Sequence, residues 1–366
     1  MLEGRVLVDG AGGFLGSHVV EVLCKAGYDV RATDLPGTDN SLALAAGATW
    51  VEADLLDVRA ARHLVEGCRG VVHVAGIFDF SMPWDDLYAA NVDATSNLCE
   101  AALESGVDKF VHVSSVTVYG TPERGPVRES AAQEPVNDYA QTKQRGEQRV
   151  WHYQRFRGLP ATVVRPAAIY GPRSRYVLAS LFAMYALAAE HEYSWLRRFD
   201  GAARCHHVHV EDVAAAIRLV LSEVQTIGQA YNVADRTPLS WGEISQCIAS
   251  LTNAPMELMT LPRPLARAVG LAGSLWPSSS LVDLNRTLAR DWRAAVDHYG
   301  LADAIVPRVD RDFFGYVATD HVYDTTALES LGMKYRYPRT LDGLRAAFGW
   351  YREHKWLPGP AQIAGH

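Results

Sequence analysis

The stretch "VLVDGAGGFLGSHVVEVL", residues 6–23, passes from a β-branched strand pattern through a glycine turn into a helical pattern. Gly10, Gly13 and Gly16 stand at GxxGxxG spacing between the two. Glycine at such a turn lets the backbone approach a pyrophosphate, and the helix that starts there offers free N–H groups and the positive end of its dipole. Bare glycine spacing is weak evidence, so the surrounding order has to carry it. The next strand pattern ends at Asp34, 18 residues beyond Gly16. A carboxylate there accepts hydrogen bonds from an adenosine ribose and repels a 2′-phosphate, which favours NAD over NADP. The competing reading is a structural turn with Asp34 before Pro36, and strand, turn, helix and acid in that order weigh against it. At the end of the third strand pattern, "ADLLD" places Asp54 and Leu55 where a carboxylate can meet an adenine amino group; the plain alternative is a strand end with Asp57 as helix N-cap.

Beyond this stretch the same rhythm continues. "DVRAT", "TWVEA", "GVVHV", "KFVHVSS" and "ATVVRP" predict further strands, with helical stretches between them that close on Gly27 and Gly106. Alternation of this kind predicts an α/β fold, a Rossmann-type doubly wound parallel sheet. After Pro166 the rhythm weakens, and "GQAYNVAD" at 228–235 predicts one strand returning to the sheet. The expected division is a dinucleotide-binding domain of residues 1–169 and 206–236 and a smaller, discontinuous substrate lobe of 170–205 and 237–366.

Composition narrows the class. The chain has 366 residues, 48% hydrophobic and 21% charged, with a net charge of −7, which opposes attraction to phosphate backbones and makes nucleic acid an unfavoured partner. Five dispersed cysteines without a CxxC pair fit reduced thiols in the cytoplasm. The N-terminus does not read as a signal peptide. Two apolar runs, "VLASLFAMYALAA" (177–189) and "PLARAVGLAGSLWP" (264–277), are too short to span a bilayer and read as core helices, substrate walls or peripheral membrane contacts.

Two tyrosines precede a lysine by four residues: Tyr139 and Lys143 in "NDYAQTKQRGEQ", and Tyr351 and Lys355 in "WYREHKW". With 16 tyrosines in the chain, about 0.2 such pairs arise by chance, so spacing does not choose between them. Company does. Tyr139 follows Ser115 by 24 residues, and Ser115 ends the fifth strand pattern, where sheet ligands gather. Tyr351 has no such company and is expected on an exposed amphipathic terminal helix.

These elements, with "DL" at Asp54, "VHVAG" at 72–76, "NVDAT" from Asn91, "SSVTVYG" at 114–120, "RPAAIYGP" at 165–172 and "HVEDVAAA" at 209–216, resemble the extended short-chain dehydrogenase/reductase family over about 240 residues. Asp9 departs from the Thr that many relatives carry, and "NVDAT" lacks the commoner Gly at its fourth position. The resemblance implies a catalytic set of Ser115, Tyr139 and Lys143, with the serine orienting the substrate oxygen and the lysine also holding the nicotinamide ribose. It implies NAD contacts from Gly10, Gly13, Phe14, Leu15 and Gly16, from Asp34, Asp54 and Leu55, and from Ala75, Asn91, Tyr139, Lys143 and Pro166. Asn91 also reads as an ordinary helix cap, and Ser114 and Thr117 are hydroxyls easily confused with the orienter. Oxidising a secondary alcohol needs a base as hydride leaves for the nicotinamide, and a lysine one helical turn away is expected to make the phenol acidic. "RCHHVHVED" offers His207, His209 and Glu211 as a metal set, but the redox reaction needs no metal.

For the substrate, nucleotide-sugar relatives often carry Asn where this chain has Ala168, and the apolar runs lie in the lobe expected to cover the ligand. The sequence is closest in character to the 3β-hydroxysteroid dehydrogenase branch. That implies a hydrophobic, sterol-like or lipidic alcohol, with decarboxylation to follow if a 4-carboxysterol pairs with Arg173 or Arg175, although both arginines read more readily as solvated loop charges. A nucleotide-sugar epimerase or dehydratase is the alternative, and a non-catalytic NAD-binding regulator a third. The resemblance also implies a homodimer.

Overall fold

The β-branched runs come together as one seven-stranded sheet in the computed structural model, which describes residues 3–79, 82–122, 125–191, 198–200, 203–254, 258–260, 265, 268, 273 and 275–359. Most of the apolar run 264–277 lies outside the described residues. The strands are β1 (Arg5–Val8), β2 (Asp29–Asp34), β3 (Thr49–Glu52), β4 (Cys68–His73), β5 (Lys109–Val113) and β6 (Ala161–Pro166). Past these, β7 (Ala168–Tyr170), β8 (Arg198–Asp200), β9 (Arg204–Cys205) and β10 (His207–His209) form short pairs outside the sheet, and β11 (Ala230–Val233) returns to it beside β6.

Sheet order is β11-β6-β5-β4-β1-β2-β3, parallel throughout. The chain leaves β1 toward β3, then crosses back to β4, so the C-terminal ends of β1 and β4 diverge into a crevice, where open α/β sheets bind ligands. β5, "KFVHV", is buried at every position because helices cover both faces. On one side α1 (Phe14–Lys25) packs on α8 (Val210–Ser222); on the other α3 (Val58–Val65), α5 (Ala94–Ser105) and α6 (Asp138–Arg157) pack in a row. Gly106 ends α5 in the left-handed conformation at φ 68°, as its C-cap position requires.

Outside the sheet, α7 (Leu178–His191) and α9 (Trp241–Thr252), with the helices Ser278–Tyr299 and Thr340–Glu353, enclose a separate apolar cluster around Phe182, Ile244, Trp292 and Phe348. Helix α7 is apolar on nearly every face because it is buried almost all round. Among the described residues no helix is long and apolar enough to cross a membrane.

Candidate active site

The turn between β1 and α1 has the geometry its glycines suggest. Gly10 adopts φ 59°, and a Cβ there would stand 2.8 Å from the Ala75 backbone nitrogen. A Cβ at Gly16 would drive into the Gly10 carbonyl oxygen, so only glycine lets α1 start this close to β1. Gly13 is the N-cap of α1 and no side chain caps it. The first-turn amides therefore face a cleft of about 850 Å³ lined by Gly10, Gly13, Phe14, Leu15 and Gly16.

Asp34 lies at the rim, accepting from the amides of Gly12 (3.0 Å) and Leu35 (2.8 Å). A carboxylate has about four acceptor positions, so two remain for ribose hydroxyls. Asp54 and Leu55 line the same end, with Asp54 accepting from Leu56 N at 2.9 Å; Asp57 caps α3 through the amides of Arg59 and Ala60. Of the two readings of "ADLLD", the N-cap is made by Asp57, and Asp54 is free to line the cleft. Ala75 and Pro166 form walls further in. An uncapped helix start, a glycine cradle and a rim carboxylate fit a dinucleotide.

Asn91 is not a helix cap. It is buried in a π-helical turn, Ala89–Asp93, between a short helix, Trp84–Tyr88, and α5. Its amide accepts from Ile77 N (3.0 Å) and donates to Thr142 Oγ1 (3.0 Å), fastening the loop after β4 to α6 between Tyr139 and Lys143. Asp9, the departure from Thr, does similar work. Its Oδ1 accepts from the amides of Val74 (2.7 Å) and Ala75 (2.6 Å), while Oδ2 meets His73 Nδ1 at 2.9 Å.

Helix α6 starts at Asn137, whose side chain accepts from Ala140 N at 2.9 Å. Tyr139, Lys143 and Glu147 follow at four-residue spacing on its buried face. Ser115 lies just past β5, and its hydroxyl is held by Thr117 N (3.2 Å) and Thr117 Oγ1 (3.0 Å). The neighbouring hydroxyl is turned elsewhere: Ser114 Oγ donates to Glu147 at 2.7 Å. Tyr139, Lys143 and Ser115 all line the cleft, and Tyr139 hydrogen-bonds with Ser115.

The electrostatics differ from the expected acidic phenol. Burial pushes Tyr139 up to about 12, and the Ser115 hydrogen bond opposes this only in part. Lys143 Nζ donates to the Val113 carbonyl at 2.7 Å, and burial lowers its pKa to about 8 against the opposing pull of Glu147 and Asp9. Desolvation outweighs the serine hydrogen bond, so the phenol is protonated at neutral pH.

Several residues of the site had no place in the sequence argument. Phe78 packs edge-on against both Tyr139 (5.0 Å) and Tyr176 (5.6 Å), closing an aromatic wall beside the phenol. Glu147 is fully buried and pairs with Arg165 at 3.0 Å, with Trp151 Nε1 donating at 2.9 Å. The spacing 139, 143, 147 in the quoted stretch was the available signal for Glu147; Phe78 and Tyr176 carried none.

Other expectations are corrected. Tyr351 is buried, not exposed, and its hydroxyl donates to the carbonyls of Gly171 (2.8 Å) and Ser174 (3.2 Å), pinning the loop that leads to Tyr176. Arg173 does not reach toward a substrate acid. Its guanidinium is bidentate to Glu21 (2.6 and 3.1 Å), while Arg175 lines the cleft. Of the histidine run, His209 caps α8 by accepting from Glu211 N, and Glu211 is engaged by Arg336, so the proposed ligands do not converge.

Beyond Tyr139 the cleft is lined by Ala168, Ile169, Tyr176, Val177, Leu181 and Met184, a mainly apolar surface contributed partly by α7.

The family model for NAD dependent epimerases/dehydratases matches residues 6–234. UDP-glucose 4-epimerase of Mycolicibacterium smegmatis is 32% identical over 268 residues, covering 69% of this chain and 84% of that protein. Ceramide reductase of Caulobacter vibrioides is 26% identical over 359 residues, 97% of each chain. The structure of dTDP-glucose 4,6-dehydratase from Streptomyces venezuelae superposes with a TM-score of 0.73 at 23% identity over 96% of this chain and 98% of that one, a likeness of fold. These similarities do not single out the hydroxysteroid branch, and by name they favour the nucleotide-sugar alternative over it.

Proposed function

We propose, for a chain that belongs to the NAD dependent epimerase/dehydratase family, that this cleft uses NAD(H) to interconvert a ketone and a secondary alcohol on a lipidic substrate. The observation that carries the reading is the apolar lining beyond Tyr139, from Ala168 to Met184. Each methylene buried there contributes about 0.8 kcal/mol, whereas a sugar diphosphate gains little from it. Similarity to the ceramide reductase along 97% of both chains supports the same class of substrate, because it includes the part of the chain that supplies α7. In this reading residues 170–205 and 237–366 form the substrate lobe, and the chain forms a homodimer, which light scattering tests.

Bound NADH supplies the hydride. The protein supplies the rest. Gly13 and the start of α1 hold the pyrophosphate, and Asp34 the adenosine ribose. Ser115 fixes the carbonyl oxygen by hydrogen bonding. Tyr139, protonated at rest, donates the proton that oxygen needs as it becomes a hydroxyl. Lys143 lies one turn from the phenol and supplies positive charge as the phenolate forms. Phe78 and Tyr176 keep water away from the transfer.

A second reading, a nucleotide-sugar 4-epimerase, is favoured by the epimerase relatives and by Arg175, a cation on the cleft wall that a diphosphate would seek. One assay separates the two. Purified protein is given NADH with a long-chain ketone, and NAD with UDP-glucose. Stoichiometric NADH consumption with the ketone and no UDP-galactose from UDP-glucose is the expected result. UDP-galactose formed without net NADH change overturns the lipid reading.

A further inference from the structure

A buried carboxylate immediately precedes the glycine turn. Asp9 follows β1, lines the cleft and is 1% exposed, as is His73, whose Nδ1 lies 2.9 Å from Asp9 Oδ2. The other oxygen, Oδ1, accepts from the amides of Val74 and Ala75 at 2.7 and 2.6 Å. These donors suit an ionised carboxylate, which can only accept.

The loop that carries those amides also meets Lys143. At Gly76, next to Ala75, an added Cβ would stand 3.7 Å from Lys143 Nζ, so the ammonium lies close against the loop backbone. Asp9 and Lys143 thus hold adjacent residues of one loop. Both are buried, where charges are screened only weakly. The titratable groups around Lys143 are Tyr139 and Glu147 on its own helix and His112 on β5, with the His73 ring 5.2 Å from that of His112. Burial holds His112 well below the ordinary imidazole range, so it is neutral. Glu147 is engaged by the Arg165 guanidinium at 3.0 Å, which offsets its charge. Among the described residues no guanidinium pairs with Asp9, whose recorded ion pair is with His73.

We infer that Asp9 is a positioning residue of the reaction, its carboxylate steadying the ammonium of Lys143 across the loop Val74–Gly76. The inference rests on the redox reading of the cleft, in which Lys143 supplies positive charge as the Tyr139 phenolate forms. Burial brings Lys143 down to about 8, against the opposing attraction of Glu147 and Asp9. That value is near enough to neutral pH for the loss of one anion to change how much of the lysine is charged.

The test compares the parent with Asp9→Asn and Asp9→Thr, which keep an acceptor for the loop amides and remove the charge. Lys143 is titrated by carbon NMR of lysine-labelled, NADH-saturated protein, its signal assigned by its absence in Lys143→Met. Loss of the charge should lower the Lys143 pKa by about one pH unit in both variants. A merely structural effect has the opposite sign, because a loosened loop admits water and hydration raises the pKa of a buried ammonium. With a long-chain ketone, the fall in kcat as pH rises through the Lys143 titration should move down equally, leaving kcat at pH 8 about fivefold lower with the KM for NADH unchanged. An unmoved or raised Lys143 titration in either variant, or a kcat profile identical to the parent's, overturns the inference. A lowered titration without turnover of the ketone keeps the link between Asp9 and Lys143 and defeats the redox reading, whereas turnover with an unmoved titration does the reverse.

Discussion

Tyr139 and Tyr351 are both buried tyrosines followed four residues later by lysine, yet they have opposite surroundings. Tyr139 sits near the start of a 20-residue helix, so Lys143 falls on the same buried face and both reach the cleft. Tyr351 sits near the end of its helix, which stops at Glu353, and Lys355 takes φ 56° and points away, exposed. The phenol of Tyr139 meets a serine hydroxyl at a cavity; that of Tyr351 is consumed by two carbonyls of one loop. Spacing supplies chemistry only where helix continues through both residues and a cavity lies beyond them.

Substitutions can break or sharpen this contrast. The largest effect is expected from Tyr139→Phe, a fall in kcat of about a thousandfold or more with NAD affinity retained, measured by steady-state kinetics and calorimetric titration. Unchanged turnover would remove the catalytic half of the comparison and leave a binding protein. Next, Glu147→Ala extends the first pair's face by one turn. It strands Arg165 in the interior and should cost about 3–5 kcal/mol in denaturant unfolding. Tyr351→Phe leaves two buried carbonyls short of a donor and should cost about 1–3 kcal/mol, with turnover of the folded protein within about twofold. Loss of turnover in fully folded Tyr351→Phe would erase the distinction between the pairs. Lys355→Ala should stay within about 0.5 kcal/mol of the parent.

The most pH-specific effect belongs to Lys143. Its pKa is near 8 in the folded protein against 10.5 unfolded, so between these values the unfolded chain binds more protons and stability rises with pH. The contribution is complete above about 10.5 and is lost as pH falls through about 8. Unfolding of the parent relative to Lys143→Met should show that rise across the window. A flat difference would mean that burial does not depress the lysine.

The sheet was legible because a parallel strand buried on both faces must be written as a β-branched run, and "KFVHV" or "ATVVRP" admits few other readings. The glycine turn was legible for a similar reason: Gly16 abuts the Gly10 carbonyl, and no other residue fits. Asn91, Phe78 and Tyr176 were not legible in their roles. Asn91 reads as a helix cap until a π-helical turn is seen to bury it between Ile77 and Thr142. Phe78 and Tyr176 are almost a hundred residues apart and meet only because the loops after β4 and β7 face one crevice. The phenol's acidity was misjudged because charge spacing can be counted along a helix, whereas desolvation depends on everything packed around it.

By itself the sequence determined the order of strands and helices, the glycine turn and which of the two tyrosines lines the cleft, since these depend on local backbone constraints and short periodicities. Tertiary structure alone decided how strongly each group is desolvated, which guanidinium is already engaged, and which aromatic rings meet beside the phenol. Those are properties of distant segments brought into contact, and spacing along the chain does not encode them.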